Sequence, residues 1–488
     1  MNVTKSDLLY VLMSIAVAAI GVVAVSNTNN QIGLYSLMGL IAIAVILAII
    51  IKPSLGANIL VIVVFTNISN LLTKQGFPGI MKPLVAVVAF GLLVRYLYVG
   101  RITIGHPKTI WAEVFLIAYL LVVTLSFAVA TDQSSAYIEI VDMAKDIVII
   151  YCIVSALQEV RLWKQTTWLM IVTTVLLCLL SLYQLITNNF EQTFFLLASV
   201  QMDQALSASS TPRIGGPIND PNFWGQVLVA VSMLIVFRII HEKNMLVRLG
   251  SALMLGLILY IVLNTYSRGA YLALVIDMLL ILLLYRKRIN SVVVVTGLII
   301  LVLALPFLPA TYRNRFNSLF VTSQNGIYED TSLRGRSSEM LTGLAMFKEH
   351  PILGVGVSNY PIQYQRYAQL IGIEFRAEER DPHSLYVQLL AETGILGTVT
   401  FLGMVFFLLN ALGKAVRAAE KVHRLEEWLP WLNSIRLAIL SYMLTSIFLH
   451  SAFIRYFWLL VAMALAGIQI TYHLLNKEEY NIPLEARR

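Results

Sequence analysis

Apolar residues run along this chain in long stretches separated by short polar breaks, from one end to the other. Crossing the hydrocarbon core of a bilayer takes about 20 mostly apolar helical residues. Segments 8–25, 32–51, 57–72, 83–99, 110–130, 137–157, 166–186, 222–240, 247–266, 270–284, 292–308, 395–412, 432–449 and 453–474 meet that pattern. The pattern predicts an all-α, polytopic transmembrane protein of about 14 (12–14) spans. Segments 57–72 and 270–284 are short, and the expectation for them is a tilted, re-entrant or merged helix.

The polar breaks are unequal. With the N-terminus inside, Lys and Arg crowd the inner connections, as in Arg286-Lys287-Arg288 and Lys414 to Arg424. The short outer ones hold little beyond Lys74, Lys82, Arg213, Arg268 and Arg455. Positive charge stays on the cytoplasmic side, so both termini are expected there. Two outer breaks are long, 187–221 and 309–394, and loops of that length usually serve a function. Three regions follow: 1–308, helical and transmembrane with the outer loop 187–221; 309–394, a large periplasmic loop with short helices that roofs the site; and 395–488, the last spans and a cytoplasmic tail. Inside the large loop, Met340, Leu341, Leu344 and Phe347 recur over 336–349 at the spacing of one helical face. His350-Pro351 ends that helix and Gly354-Val355-Gly356 makes a turn.

Composition narrows the class. Apolar residues make up 58% of the chain, charged residues only 13%, and mean hydropathy is +0.78. An ordinary soluble domain carries about a quarter charged residues, so a soluble protein is excluded. The net charge of +8 follows from the inner loops and calls for no nucleic acid; membrane lipids are the surroundings. Cys152 and Cys178, both in apolar runs, make neither a disulfide framework nor a metal site. Neither a His-Glu-x-x-His metal motif nor a phosphate-binding Walker loop occurs, which argues against an ATP-driven pump.

Charge at membrane depth is costly and marks candidate sites. Arg213 precedes Asp220-Pro221-Asn222, where Asp220 is a good helix cap and Pro221 a good first residue. Arg268, in Ser267-Arg268-Gly269, precedes segment 270–284. His383 lies in Asp381-Pro382-His383-Ser384, which reads as the same cap-and-proline start, for a helix ending at Gly394. Helix N-termini favour anions, and Arg grips phosphate oxygens in pairs. The same partial positive charge disfavours imidazolium, so His383 is expected neutral and able to accept a proton. Each residue has a plainer reading: an interfacial anchor for Arg268, a solvated charge for Arg213, a cap partner for His383. Their shared side and shared helix-terminus setting favour a site. Arg334 and Arg336, in the large loop, are candidate supporting phosphate ligands. Tyr328, Phe347, Tyr360, Tyr364, Tyr367 and Tyr386 either stack on sugars or form the loop's own core. Glu139, Asp142, Lys145 and Asp146 share one helical face. They read first as a structural pair of Asp142 with Lys145, and otherwise as a transporter's proton relay.

The chain resembles the O-antigen ligase and polymerase superfamily of bacterial envelope glycosyltransferases. The resemblance rests on His350-Pro351-Ile352-Leu353-Gly354-Val355-Gly356 after Arg336, on Asp381 to Gly397, on Ser267-Arg268-Gly269, and on Arg213 to Asn222. Ser384 stands where Asn is common. The resemblance implies a metal-independent, cofactor-free, inverting transferase at the periplasmic face of the bacterial inner membrane. Its donor is a glycan on undecaprenyl pyrophosphate. Its acceptor is a hydroxyl of the lipid A core, of another glycan or of another molecule. Arg213 and Arg268 hold the pyrophosphate and His383 activates the acceptor. A ligase type is favoured slightly over a polysaccharide polymerase, and a lipid-linked glycan flippase or other transporter is the alternative.

Overall fold

The computed structural model describes residues 30–99, 105–203, 211–285, 331–372, 380–452 and 454–480. It is an all-α polytopic membrane protein. In chain order the helices are α1 (Asn30–Ile51), α2 (Pro53–Phe65), α3 (Ile68–Lys74), α4 (Met81–Val99), α5 (Ile110–Ser126), α6 (Gln133–Ala156) and α7 (Val160–Thr187). A two-stranded antiparallel ribbon, β1 (Val200–Asp203) and β2 (Thr211–Ile214), follows. Then come α8 (Pro221–His241), α9 (Met245–Asn264), α10 (Arg268–Tyr285), α11 (Thr331–Glu349), α12 (Tyr360–Leu370), α13 (Leu385–Ala419), α14 (Leu429–Thr445) and α15 (Arg455–Tyr480).

Among the described residues, seven helices are long and apolar enough to cross a membrane, or eight if the bent pair α2–α3 counts as one span. The hydropathy pattern over-counted with about 14. Segments 8–25 and 292–308 lie outside the described residues. Helix α6 carries Glu139, Asp142, Lys145 and Asp146, and α14 is only 17 residues long. Segment 57–72 is a broken helix, bent by 57° where Asn67 takes a left-handed conformation. The region boundaries near 308 fall among residues not described.

Helix α8 is the centre of the bundle, with 89% of its apolar window buried. It packs against α9 and α14. Its start was legible in the sequence: Asp220 Oδ1 accepts the backbone N–H of Asn222 (2.7 Å) and Phe223 (3.1 Å), with Pro221 in the first turn. At its far end Arg238 lies over the Trp431 ring, 3.8 Å from the centroid, and pairs with Glu242 at 3.6 Å. That cation–π contact lets a guanidinium close a buried helix end.

Helix α13 is broken at Gly394, whose φ of 63° and ψ of −160° are non-helical. A break strands carbonyls below it and N–H groups above it. Residues 351–356 take both sets. Val355 and Gly356 donate to the carbonyls of Ala391 (2.8 Å) and Glu392 (3.1 Å). Ile395 donates to Pro351 O (2.9 Å) and Leu396 to Ile352 O (3.4 Å). The approach is backbone to backbone: a Cβ on Gly394 would stand 2.4 Å from the Ile352 carbonyl, and one on Gly354 2.4 Å from Ala391 O. The same segment is pinned from its other side. Val357 N–H reaches Ser126 Oγ (3.2 Å), and Asn359 exchanges two hydrogen bonds with the Asp132 backbone (2.7 and 3.1 Å).

The loop has its own small core of Met346, Val355, Tyr360, Tyr364 and Tyr367. Those three tyrosines are therefore packing residues and not sugar platforms. Helix α11 does not turn its Met340–Leu341 stripe inward. Ser338, Glu339, Thr342 and Met346 are buried, whereas Met340 and Leu341 are 46% and 50% exposed. Polar partners inside decide it: Ser338 Oγ meets Tyr364 Oη (3.2 Å), and the Glu339 carboxylate meets Arg380 and His383. Buried polar groups are satisfied first.

Gly394→Ala tests the break. The conformation alone costs a side chain about 1–3 kcal/mol, before the overlap with Ile352. Purified variant protein should melt well below wild type in detergent; an unchanged melting temperature would show that the backbone interlock does not hold the helix break.

Candidate functional site

The three candidate residues lie at or ahead of three helix starts. Each start is preceded by, or contains, a non-glycine residue in the left-handed region: Asn219 (φ 59°) before α8, Tyr266 (φ 52°) before α10, and His383 itself (φ 35°) before α13. Such conformations persist only where the surroundings enforce them.

Arg213 sits on β2, paired in register with Gln201, and is 8% exposed. Its Nε donates to Thr265 O (3.1 Å) and an Nη donates to Asn222 Oδ1 (3.2 Å). One guanidinium thus ties the turn before α10 to the first turn of α8. Arg268 opens α10, half-buried, and Ser267 Oγ receives the Ala270 N–H at 3.4 Å. Arg336, on α11, faces the same place: with Asn222, Ser267, Gly269 and Leu449 it lines a void of about 10 Å³, room for no more than a water. The side chain of Arg334 lies outside the described residues.

His383 does not start its helix as the sequence pattern indicated. Helix α13 begins at Leu385, with Ser384 in the cap position and no side-chain cap; Asp381 and Pro382 lie further out. The first N–H is satisfied from another element, Leu385 donating to Ser446 O (3.0 Å) and Leu449 O (2.8 Å). His383 Nδ1 stands 2.9 Å from Glu339 Oε2 and 3.1 Å from Asp381 O. Glu339 is 1% exposed, and its other oxygen meets Arg380 at 3.2 Å. Burial pushes the His383 pKa down and Arg336 adds to that, but the hydrogen bond and charge of Glu339 outweigh both, and the net direction is up. The helix-terminus argument for a neutral imidazole is thereby corrected: the carboxylate is nearer than the helix end.

His450 was not singled out from sequence. It lies between α14 and α15, with Nε2 3.5 Å from Asp381 Oδ2 and its ring 5.9 Å from that of His383 and edge-on to Phe223 of α8. Burial holds its pKa below the ordinary histidine value. Nothing local in Leu449-His450-Ser451 marks it. Glu339 likewise had no signal beyond standing one helical turn after Arg336.

Around the first turn of α8, then, the fold gathers Arg213, Arg336, His450 and, through His450, His383, with Arg268 on the adjoining turn. The charged face of α6 is elsewhere. Lys145 pairs with Asp142 as expected, and Arg455 of α15 adds contacts to Asp142 (2.7 Å) and Asp146 (3.5 Å). Among the described residues no group of three or more His, Cys, Asp or Glu side chains is arranged to hold a metal ion.

Residues 252–402, from within α9 to within α13, match the family model described as O-antigen ligase. The chain carries an O-antigen ligase family domain. The matched stretch includes Arg268, Arg336, Glu339 and His383, whereas Arg213 and His450 lie outside it. No curated protein matches the chain. The matched stretch lies inside a bundle of helices long and apolar enough to cross a membrane.

The Glu339 contact gives the His383 pair a defined pH dependence. A histidine whose pKa is raised by folding stabilises the fold fully below its unfolded value, about 6.5, and that contribution fades as pH rises through the folded value. The melting-temperature advantage of wild type over His383→Gln should therefore be largest at acid pH and shrink as the solution becomes alkaline. An advantage that grows with pH would contradict the pairing.

Proposed function

We propose that the chain is a metal-independent, inverting glycosyltransferase of the O-antigen ligase type. It moves a glycan from undecaprenyl pyrophosphate to an acceptor hydroxyl at the periplasmic face of the bacterial inner membrane. The observation that carries this reading is the buried Glu339 carboxylate against His383 Nδ1, one helical turn from Arg336, within the family domain. A base oriented by a third group is the usual arrangement for activating a hydroxyl. With Nδ1 turned to Glu339, Nε2 is the nitrogen that takes the acceptor's proton. The acceptor oxygen attacks the anomeric carbon from the face opposite the leaving group. The carbon–oxygen bond to pyrophosphate breaks and its electron pair stays on the phosphate oxygen. Arg213 and Arg268, with Arg334 and Arg336 in support, hold that anion, aided by the N-termini of α8 and α10. The acceptor, whether lipid A core, a glycan or another hydroxyl, decides between ligase and polymerase.

A flippase or other transporter would use the α6 charges as a relay. Their closure into a network with Lys145 and Arg455 favours a structural role.

Two experiments test the proposal. Purified protein given lipid-linked glycan and candidate acceptors, without nucleotide or metal, should release undecaprenyl pyrophosphate and form the glycan product. Arg213→Lys and Arg268→Lys keep the charge but lose paired donation, at a cost of roughly 1.5–3 kcal/mol in donor use. His383→Ala should leave donor binding intact and slow transfer by ~10²–10⁴-fold. Wild-type turnover by His383→Ala would remove the base. The second experiment is topological. Cysteines introduced into 336–349 should react with an impermeant reagent from the periplasm and ones near 286 should not; the reverse pattern would invert the proposed orientation.

A further inference from the structure

The far end of α13 carries two cations that the transfer chemistry leaves unused. Gly413 lies about 28 Å along α13 from the Gly394 break, close to the thickness of a hydrocarbon core. That distance sets it at the end of the bundle opposite His383. A Cβ on Gly413 would stand 3.7 Å from Arg436 Nη2 and 3.8 Å from Arg417 Nη1. Two guanidinium groups thus converge on one point, Arg417 from an exposed position on α13 and Arg436 from a half-buried one on α14. Arg436 Nε is buried without a hydrogen bond, and among the described residues neither side chain pairs with a carboxylate. Arg238, which reaches the same helix α14, is treated differently: it has the Trp431 ring beneath it and Glu242 beside it.

An uncompensated charge on a membrane helix is expensive, and two like charges at one point add repulsion. An anion seated between them relieves both, and guanidinium groups grip phosphate oxygens in pairs. Lipid headgroups supply phosphate at this level, and basic pockets between membrane helices take them. The surface beside the pair suits acyl chains. Phe406 and Val399 follow Gly413 at heptad spacing along one face of α13 and are 63% and 53% exposed. A free phosphate ion has no use for that apolar track. We propose that Arg417 and Arg436 clamp the phosphate of an anionic phospholipid whose acyl chains lie along Phe406 and Val399, and that this lipid ties α13 to α14. Tyr472 of α15 continues the patch: the Arg417 charge acts on its hydroxyl, and Lys108 Nζ lies 5.5 Å from its ring centroid. The site is independent of the transferase reading.

The test gives full-length protein, purified in detergent and stripped of lipid, one of three probes: phosphatidylglycerol, phosphatidylcholine or inorganic phosphate. Native mass spectrometry counts bound lipid, and thermal melting reports its effect. Phosphatidylglycerol should bind wild type about tenfold more tightly than phosphatidylcholine and raise its melting temperature, and inorganic phosphate at the same concentration should not. Arg417→Gln and Arg436→Gln should each weaken phosphatidylglycerol binding about tenfold or more, as loss of a charge-assisted hydrogen bond to phosphate does. Without lipid, Arg436→Gln should melt no lower than wild type, because it removes a charge that has no partner. Arg417→Gln, at an exposed position, covers the case in which Arg436→Gln fails to fold. Lys243→Gln removes an exposed charge paired with Glu427 and should leave lipid binding unchanged. Equal binding of the two lipids by wild type, unaltered by either arginine variant, overturns the site. An equal loss of binding in Lys243→Gln reduces it to diffuse surface charge and overturns it too. Lower melting of lipid-free Arg436→Gln with phosphatidylglycerol binding retained marks a structural arginine and has the same result. Stabilisation by inorganic phosphate equal to that by phosphatidylglycerol gives the pair to a soluble anion and overturns the lipid.

Discussion

The interlock between residues 351–356 and the break at Gly394 is the constraint on which the rest of this structure depends. A helix entering a bilayer cannot leave backbone groups unpaired, because each one costs several kcal/mol where no water is available. Helix α13 breaks nonetheless, and it can do so because a second strand of backbone supplies donors to Ala391 and Glu392 and acceptors to Ile395 and Leu396. Glycine at 354 and 394 is needed for the two backbones to approach. The short half-helix Leu385–Thr393 set apart by the break carries His383 at its head. Glu339 reaches His383 from α11, the helix that ends just before the interlocking segment. The position of the imidazole thus follows from a backbone hydrogen-bond problem solved at Gly394.

What could be read from the chain beforehand was whatever is encoded locally. Asp220-Pro221 announced a helix start and is one; Gly394 announced a helix end and is a break; the stretch Asp142 to Lys145 announced an ion pair and forms it. Features set by partners distant in sequence were read wrongly or missed. The apolar stripe Met340–Leu341 announced a helix but not its inner face, which Ser338 and Glu339 take because Tyr364, Arg380 and His383 meet them there. The span count failed for a related reason: hydropathy measures apolar length and does not see a bend such as that at Asn67, or a charged helix kept in the bundle by Arg455. His450 and Glu339 gain meaning only from what the fold sets beside them.

The charges around the candidate site are held by neighbours within the fold. Arg213 is anchored to Thr265 and Asn222, and Glu339 is shared between Arg380 and His383. Such anchoring removes side-chain freedom before any ligand arrives. Preorganised charge acts on a reacting group without having to reorient. The family domain ends within α13 at residue 402, yet Arg213, its anchor Asn222 and the His450 ring beside His383 come from outside it. The flanking helices therefore belong to the working unit.

The stapling of residues 351–359 carries a mechanical consequence. This stretch is bonded to the α13 break on one side and to Ser126 and Asp132 on the other, so it cannot swing as a hinged lid while either side stays fixed. Opening it would sever several backbone bonds together, a local unfolding of the kind that sets the slow end of protein motion. With both flanks bonded, this stretch behaves as a rigid lintel and not as a door.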